Sequence, residues 1–203
     1  IDATASDISV DISPYELVAD GRSTATVTGF VRNDVGNPVS DGTAVTMSVS
    51  DDSTGAPMGN VSPVTAYTDG GAFSVTYTSG TLAGSGLVYA RVGDTLAIDS
   101  TSFDLVAGDP DSILIIANPA WINADSASTS ELTGTVYDRY SNHVAGASVT
   151  LTTTLGAIVP PTTVTTNTDG EFTSRLRSGY VTGRATVTAQ SMLARGEVEV
   201  GFD

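Results

Sequence analysis

The chain is written twice. Pro14 and Pro119 stand 105 positions apart, and at the same offset Ala19-Asp20 meets Ala124-Asp125 and Gly29 meets Gly134. Val31 likewise meets Val136, Asn37 meets Asn142 and Val39 meets Val144. The offset then shortens to 100, where Thr68-Asp69-Gly70 meets Thr168-Asp169-Gly170. It reaches 99 for Phe73 and Phe172, Ser79-Gly80 and Ser178-Gly179, Gly84 and Gly183, and Ala90 and Ala189. Such a drift means small deletions in loops, which cross the surface and tolerate them. Each copy is long enough to bury a core without metals or disulfides.

Within a copy, short alternating runs stand between turn signals. The first copy predicts strands at Ile8–Ile12, Thr24–Val31, Val45–Ser50, Val64–Thr68, Ala72–Thr78, Leu87–Val92 and Thr101–Val106. The second predicts Ile113–Ala117, Glu131–Tyr137, Ser148–Thr154, Thr163–Thr166, Glu171–Leu176, Arg184–Ala189 and Glu197–Val200. No window repeats apolar residues at helical spacing, and Thr, Ser, Val and Gly outnumber the straight-chain helix formers. About seven strands per copy predict an all-β chain of two tandem immunoglobulin-like β-sandwiches. The expected domains are residues 1–108 and 109–203. Val27, Val45, Val49, Phe73, Val75, Val88 and Phe103 are expected in the first core. Val136, Val149, Leu151, Phe172, Leu176, Val187 and Val198 are expected in the second. The joint is Ala107-Gly108-Asp109-Pro110-Asp111, where Pro110 fixes its own φ and restrains Asp109. A short, stiff joint and a rod-like pair are expected.

Charge narrows the choice of partner. The net charge is −15. Residues 1–108 hold 13 acids and 3 arginines, net −10, and residues 109–203 hold 10 and 5, net −5. A field of that sign repels phosphate backbones and anionic headgroups, so nucleic acid is a poor partner. No apolar run approaches membrane-spanning length, and this segment is not expected to insert into a membrane. The absence of Cys excludes disulfides, and the absence of Lys excludes a lysine isopeptide staple. The chain opens at Ile1 on a lead-in segment, as expected of a piece of a longer protein.

The motifs resemble the bacterial Ig-like domains of the invasin and intimin group. Ala19-Asp20-Gly21-Arg22-Ser23, Gly36-Asn37-Pro38-Val39, Thr68-Asp69-Gly70-Gly71 with Phe73, and Gly84 to Ala90 carry the likeness in the first copy. The second copy has Ala124-Asp125-Ser126 without the glycine, and His143 in place of Pro38. Asp-Gly before a strand supplies the positive φ that a tight hairpin turn needs, and Asn37 reads as a turn cap before Pro38. The resemblance implies a stalk segment of a larger cell-surface or secreted bacterial protein, an adhesin. Its partners would be neighbouring Ig-like domains of the same chain and a host protein or glycan. A carbohydrate- or protein-binding accessory module of a secreted enzyme is the alternative.

Chemistry-bearing residues are few. His143 is the only His; with Ser141 and Asp138 it lies in a turn that lacks a nucleophile elbow or oxyanion donors, so no catalytic residue is expected. One His without Cys cannot make a zinc site. Asp104, Asp109 and Asp111, with Asp99 nearby, are calcium candidates at the joint, and Asp51-Asp52 with Asn60 is a second candidate. No cofactor is expected, calcium at these candidates apart. Trp121, the only Trp, stands where the first copy has Glu16 and is the ligand candidate; packing on a sandwich edge is its bland alternative. The long loop Asp51–Pro63, with Met58, is a further place for recognition.

Overall fold

The computed structural model describes residues 4–93 and 97–203; Ile1 and the start of the lead-in lie outside them. The chain divides into two compact units, Ile1–Val106 and Ala107–Asp203. Among the described residues there is no helix, and each unit holds nine strands. In unit 1 they are β1 (Ala5–Ser13), β2 (Glu16–Val18), β3 (Thr24–Asn33), β4 (Ala44–Asp51), β5 (Gly59–Ser62), β6 (Thr65–Tyr67), β7 (Ala72–Ser79), β8 (Gly84–Arg91) and β9 (Ile98–Val106). In unit 2 they are β10 (Ser112–Asn118), β11 (Trp121–Ile122), β12 (Thr129–Tyr137), β13 (Ser148–Thr153), β14 (Ala157–Ile158), β15 (Thr163–Thr165), β16 (Glu171–Arg177), β17 (Gly183–Ser191) and β18 (Ala194–Phe202).

Each unit is an immunoglobulin-like sandwich of a four- and a five-stranded sheet. The orders are β1-β3-β7-β5 with β2-β9-β8-β4-β6, and β10-β12-β16-β14 with β11-β18-β17-β13-β15. The two orders are the same, as the repeat requires. The extra strands β2 and β11 arise where the first strand changes sheet. β1 runs antiparallel to β3, the chain breaks at Pro14, and β2 continues parallel to β9. β10 and β11 do the same around Pro119. β5 and β14 are short edge strands beside β7 and β16.

Alternation places the cores. Val27, Val45, Phe73, Val75, Val88 and Phe103 are buried as expected, with Val49 half-buried against them. Val136, Val149, Leu151, Phe172, Leu176 and Val187 are buried in unit 2, with Val198 half-buried. Each full burial of this kind contributes about 1.5–3 kcal/mol.

One packing device recurs. Gly29 lies opposite Phe73 across β3 and β7, and Gly134 lies opposite Phe172 across β12 and β16. A methyl group on either glycine would collide with the ring and with a backbone carbonyl of the first strand, Ser9 or Leu114. Gly86 opposite Phe103 repeats the device on the other sheet of unit 1. Unit 2 has Ala185 opposite Val200 there. The larger ring with the smaller residue has been exchanged for two intermediate side chains.

The turns correct two readings of the sequence. Asp20-Gly21 joins strands of different sheets, so it is not a hairpin turn, although Gly21 does take a φ of 72°. Asn37 is not the capping side chain: Asn33 Oδ1 accepts from the N–H of Val35 and of Asn37. The repeat also shifts register near Thr68. Thr68 Oγ1 donates to Ser40 O and accepts from Thr43 N–H. Thr166, not Thr168, makes the equivalent pair, to Val144 O and from Ala147 N–H.

Gly134→Ala should destabilise unit 2 by about 1–3 kcal/mol through overpacking. Gly179→Ala, whose added carbon would meet nothing nearer than 4.0 Å, should stay within about 0.5 kcal/mol of the parent. Urea unfolding followed by circular dichroism compares them; equal midpoints for the two variants would refute the close-approach account.

Candidate functional site

The Asp residues that recur in the two copies are consumed by backbone and a neighbouring hydroxyl. Asp20 Oδ1 accepts from Arg22 N–H, Ser23 N–H and Ser79 Oγ–H at 2.8, 2.7 and 3.2 Å. Asp125 Oδ1 accepts from Ala127 N–H, Ser128 N–H and Ser178 Oγ–H at 2.8, 2.6 and 3.2 Å. The Ala-Asp and Ser-Gly motifs are therefore two halves of one clamp. Ser126 takes a φ of 60° where unit 1 has Gly21, so the missing glycine leaves the turn intact. The N–H of Ser128, then that of Ala127, holds Asp125 at a pKa of about 2, below the ordinary 3.8.

Asp138 is buried, and its carboxylate accepts from the N–H groups of Gly108, Tyr140 and Asn142 and from Asn142 Nδ2, at 2.8–2.9 Å. Burial pushes its pKa up, but the Asn142 amide and the three N–H groups outweigh that and leave it below the ordinary value. Ser141 takes a φ of 66° in the same turn, and exposed His143 packs edge-on against Tyr137, ring centroids 5.0 Å apart. The three residues thus serve a turn: Asp138 faces amides, not the imidazole.

Among the described residues no group of three or more His, Asp or Glu side chains is placed to hold a metal ion. Asp104 Oδ1 accepts from Ser85 Oγ–H at 2.6 Å, and Asp99 Oδ2 accepts from Val10 N–H at 3.0 Å. Asp109 and Asp111 are exposed, and Asp111 N–H donates to Tyr137 O. Asp51 Oδ1 caps its own turn, and the Thr54 N–H, with Ser53 and Thr54 hydroxyls, holds its pKa at about 2. Part of the long loop after it is structure: Met58 is buried, its carbonyl accepts from Tyr77 Oη at 2.5 Å, and β5 follows.

Trp121 stands apart. β11 sets it beside Gly201 of β18, and a Cβ on Gly201 would collide about equally with Cε3, Cζ3 and Cδ2 of the indole. Such even crowding means the ring lies with a face on the glycine. Trp121 remains 54% exposed. The Arg184 guanidinium lies 5.5 Å from its centroid, and Arg184 Nη1 donates to Glu199 Oε2 at 2.8 Å. Gly201, Arg184 and Glu199 went unnoticed in the sequence. The only signal available was that Trp121 replaced Glu16.

A family profile described as Invasin, domain 3 matches residues 2–108 and again residues 109–198. The chain belongs to that family. Among solved structures, InvD of Yersinia pseudotuberculosis superposes with a TM-score of 0.64 at 24% identity, over 96% of this chain and 57% of that one. The Escherichia coli adhesin FdeC gives 0.57 at 20% identity, over 98% and 66%. The Yersinia pseudotuberculosis adhesin InvE gives 0.50 at 18% identity, over 99% and 60%. These likenesses show the fold, and the chain spans less than two thirds of each of the three. No curated protein matches it. Among the described residues no helix is long and apolar enough to cross a membrane.

The Asp125 clamp has a pH signature. Its pKa is depressed in the folded state, so its contribution is present above the ordinary 3.8 and lost as pH falls toward about 2. Asp125→Ala should lower the melting temperature at neutral pH and converge on the parent near pH 2. A gap that persists at the acid end would assign the effect to packing instead.

Proposed function

We propose that this chain is a non-catalytic spacer: two Ig-like units of a bacterial cell-surface or secreted adhesin, holding a binding tip at a distance through a restrained joint. One observation carries the reading. Val106 O accepts from Ala19 N–H within unit 1, and Gly108 N–H donates to the buried Asp138 carboxylate within unit 2. Ala107 alone separates these anchors, and it packs against the second core. Asp111 N–H is fixed on Tyr137 O two peptides past Asp109. So few free torsions between the anchors support the spacer reading. The family and the adhesins that share the fold support the same role. The distinctive polar residues support it too, since turns and the joint use them. The partner of the complete protein would be a host protein or glycan.

The chain has no Cys, so a labelled pair can be introduced cleanly. Spin labels at Ser74→Cys and Thr173→Cys, both exposed, read the separation of the units by pulsed electron resonance. A single narrow distance distribution is expected, broadened by Asp138→Ala. A distribution in the parent as wide as that of a flexible linker would remove the spacer reading.

A further inference from the structure

Unit 2 carries a surface that unit 1 lacks, and the register defines it. Trp121 pairs with Gly201, Gly201 with Arg184, and Glu199 with Thr186 two positions along the same ladder. The corresponding positions of unit 1 are Glu16, Asp104, Ser85 and Ser102. There an acid lies beside an acid, and Ser85 bonds Asp104. Unit 2 has changed all four positions together. Gly201 removes the side chain that would lie beneath the ring, the ring covers the bare backbone, Arg184 comes within cation–π range, and Glu199 fixes Arg184.

We propose that Trp121, Arg184 and Glu199 form a binding site for a neutral pyranose, an uncharged glycan unit. The chemistry of the three groups selects that ligand. One face of the indole rests on Gly201 and the Arg184 guanidinium approaches the ring 5.5 Å from its centroid, so the 54% of Trp121 that stays exposed is its rim and the part of the outer face that Arg184 leaves open, where the C–H face of a sugar ring can stack. The guanidinium supplies donors and the Glu199 carboxylate supplies acceptors, 2.8 Å apart. A donor and an acceptor at that spacing suit adjacent hydroxyls, each of which both donates and accepts. Charge excludes the acidic alternative: Glu199 already neutralises Arg184, and unit 2 is net negative, so a sugar carboxylate would meet repulsion. The pair is exposed on both sides, so it gains little by its own attraction and is available to a ligand. This site is independent of the spacer reading, and either stands without the other.

The sole Trp is its own reporter. The intact chain is titrated with neutral trisaccharides of glucose, mannose and galactose, and with sialyllactose as the acidic counterpart, following indole fluorescence. At least one neutral trisaccharide should give a saturable change, with a Kd on the order of 1 mM as expected for a shallow site. Arg184→Ala and Glu199→Gln should each weaken binding about tenfold, the loss of one hydrogen bond to a charged group, with an unchanged melting temperature. Both side chains are exposed, so neither variant threatens the fold. No change with any neutral trisaccharide, a response to sialyllactose alone, or binding indifferent to both substitutions would each overturn the proposal.

Discussion

A glycine facing an aromatic ring across two strands sets the dimensions of both sandwiches. The ring of Phe73 or Phe172 is too large to sit beside another side chain at the same level of the ladder. Gly29 and Gly134 give it the space directly above the backbone. Once the ring lies there, the glycine that alone would weaken a strand is covered, and the first strand can approach until its carbonyl blocks any Cβ. The position of β1 and β10 on the sheet edge therefore follows from a residue on β3 or β12. Tyr77, 4.7 Å from Phe103, extends the same layer in unit 1 and ties it to the Met58 carbonyl. That bond brings β5 and the preceding loop into the core.

Turn chemistry fixes what packing leaves open. Asp20 and Asp125 each hold the entrance to the third strand of a unit and reach over to the Ser-Gly at the end of the seventh. These are separate regions of sequence, and one carboxylate oxygen serves both. Asn33 and Asp138 occupy equivalent turns, yet they differ by a charge. Asn33 caps two N–H groups. Asp138 has a second oxygen to spend, and it goes to Gly108 and the Asn142 amide. A burial cost that would be severe for a bare carboxylate is offset, among the described residues, by four N–H donors.

Repetition made the fold legible. Strict alternation over five or more residues revealed the long strands. Gly29 with Gly134, and Phe73 with Phe172, stood out as repeated letters. Nothing in their spacing said that each Gly faces its Phe, because register is a property of pairing and not of one strand. β2 and β11 escaped because three and two residues cannot display a period. Thr168 imitated Thr68 because Thr-Asp-Gly is generic turn chemistry. The hydrogen bonds of Thr166 identify the true counterpart. Trp121 was legible as an outlier. Its neighbours were not, since Arg184 and Gly201 lie 63 and 80 residues further along the chain and meet it only through β18.

Trp121 on Gly201 is the core device turned outward. A Trp in place of Glu16 would have no room in unit 1, because Asp104 pairs with that position and keeps its side chain. Trp121 therefore requires Gly201, and Gly201 without the ring would expose a bare edge of backbone. The two changes stabilise each other. Covering Gly201 does not demand Arg184 or Glu199, however, and a smaller aromatic ring would protect the backbone as well. Inside the sandwich, the rings of Phe73 and Phe172 are buried. On the surface Trp121 keeps more than half of its area exposed: the Arg184 guanidinium approaches the ring, 5.5 Å from its centroid, and with Glu199 flanks it with a donor and an acceptor. A ring held this way, beside a charge pair that stability does not need, is what a surface must present to bind a molecule with one apolar face and a hydroxylated rim.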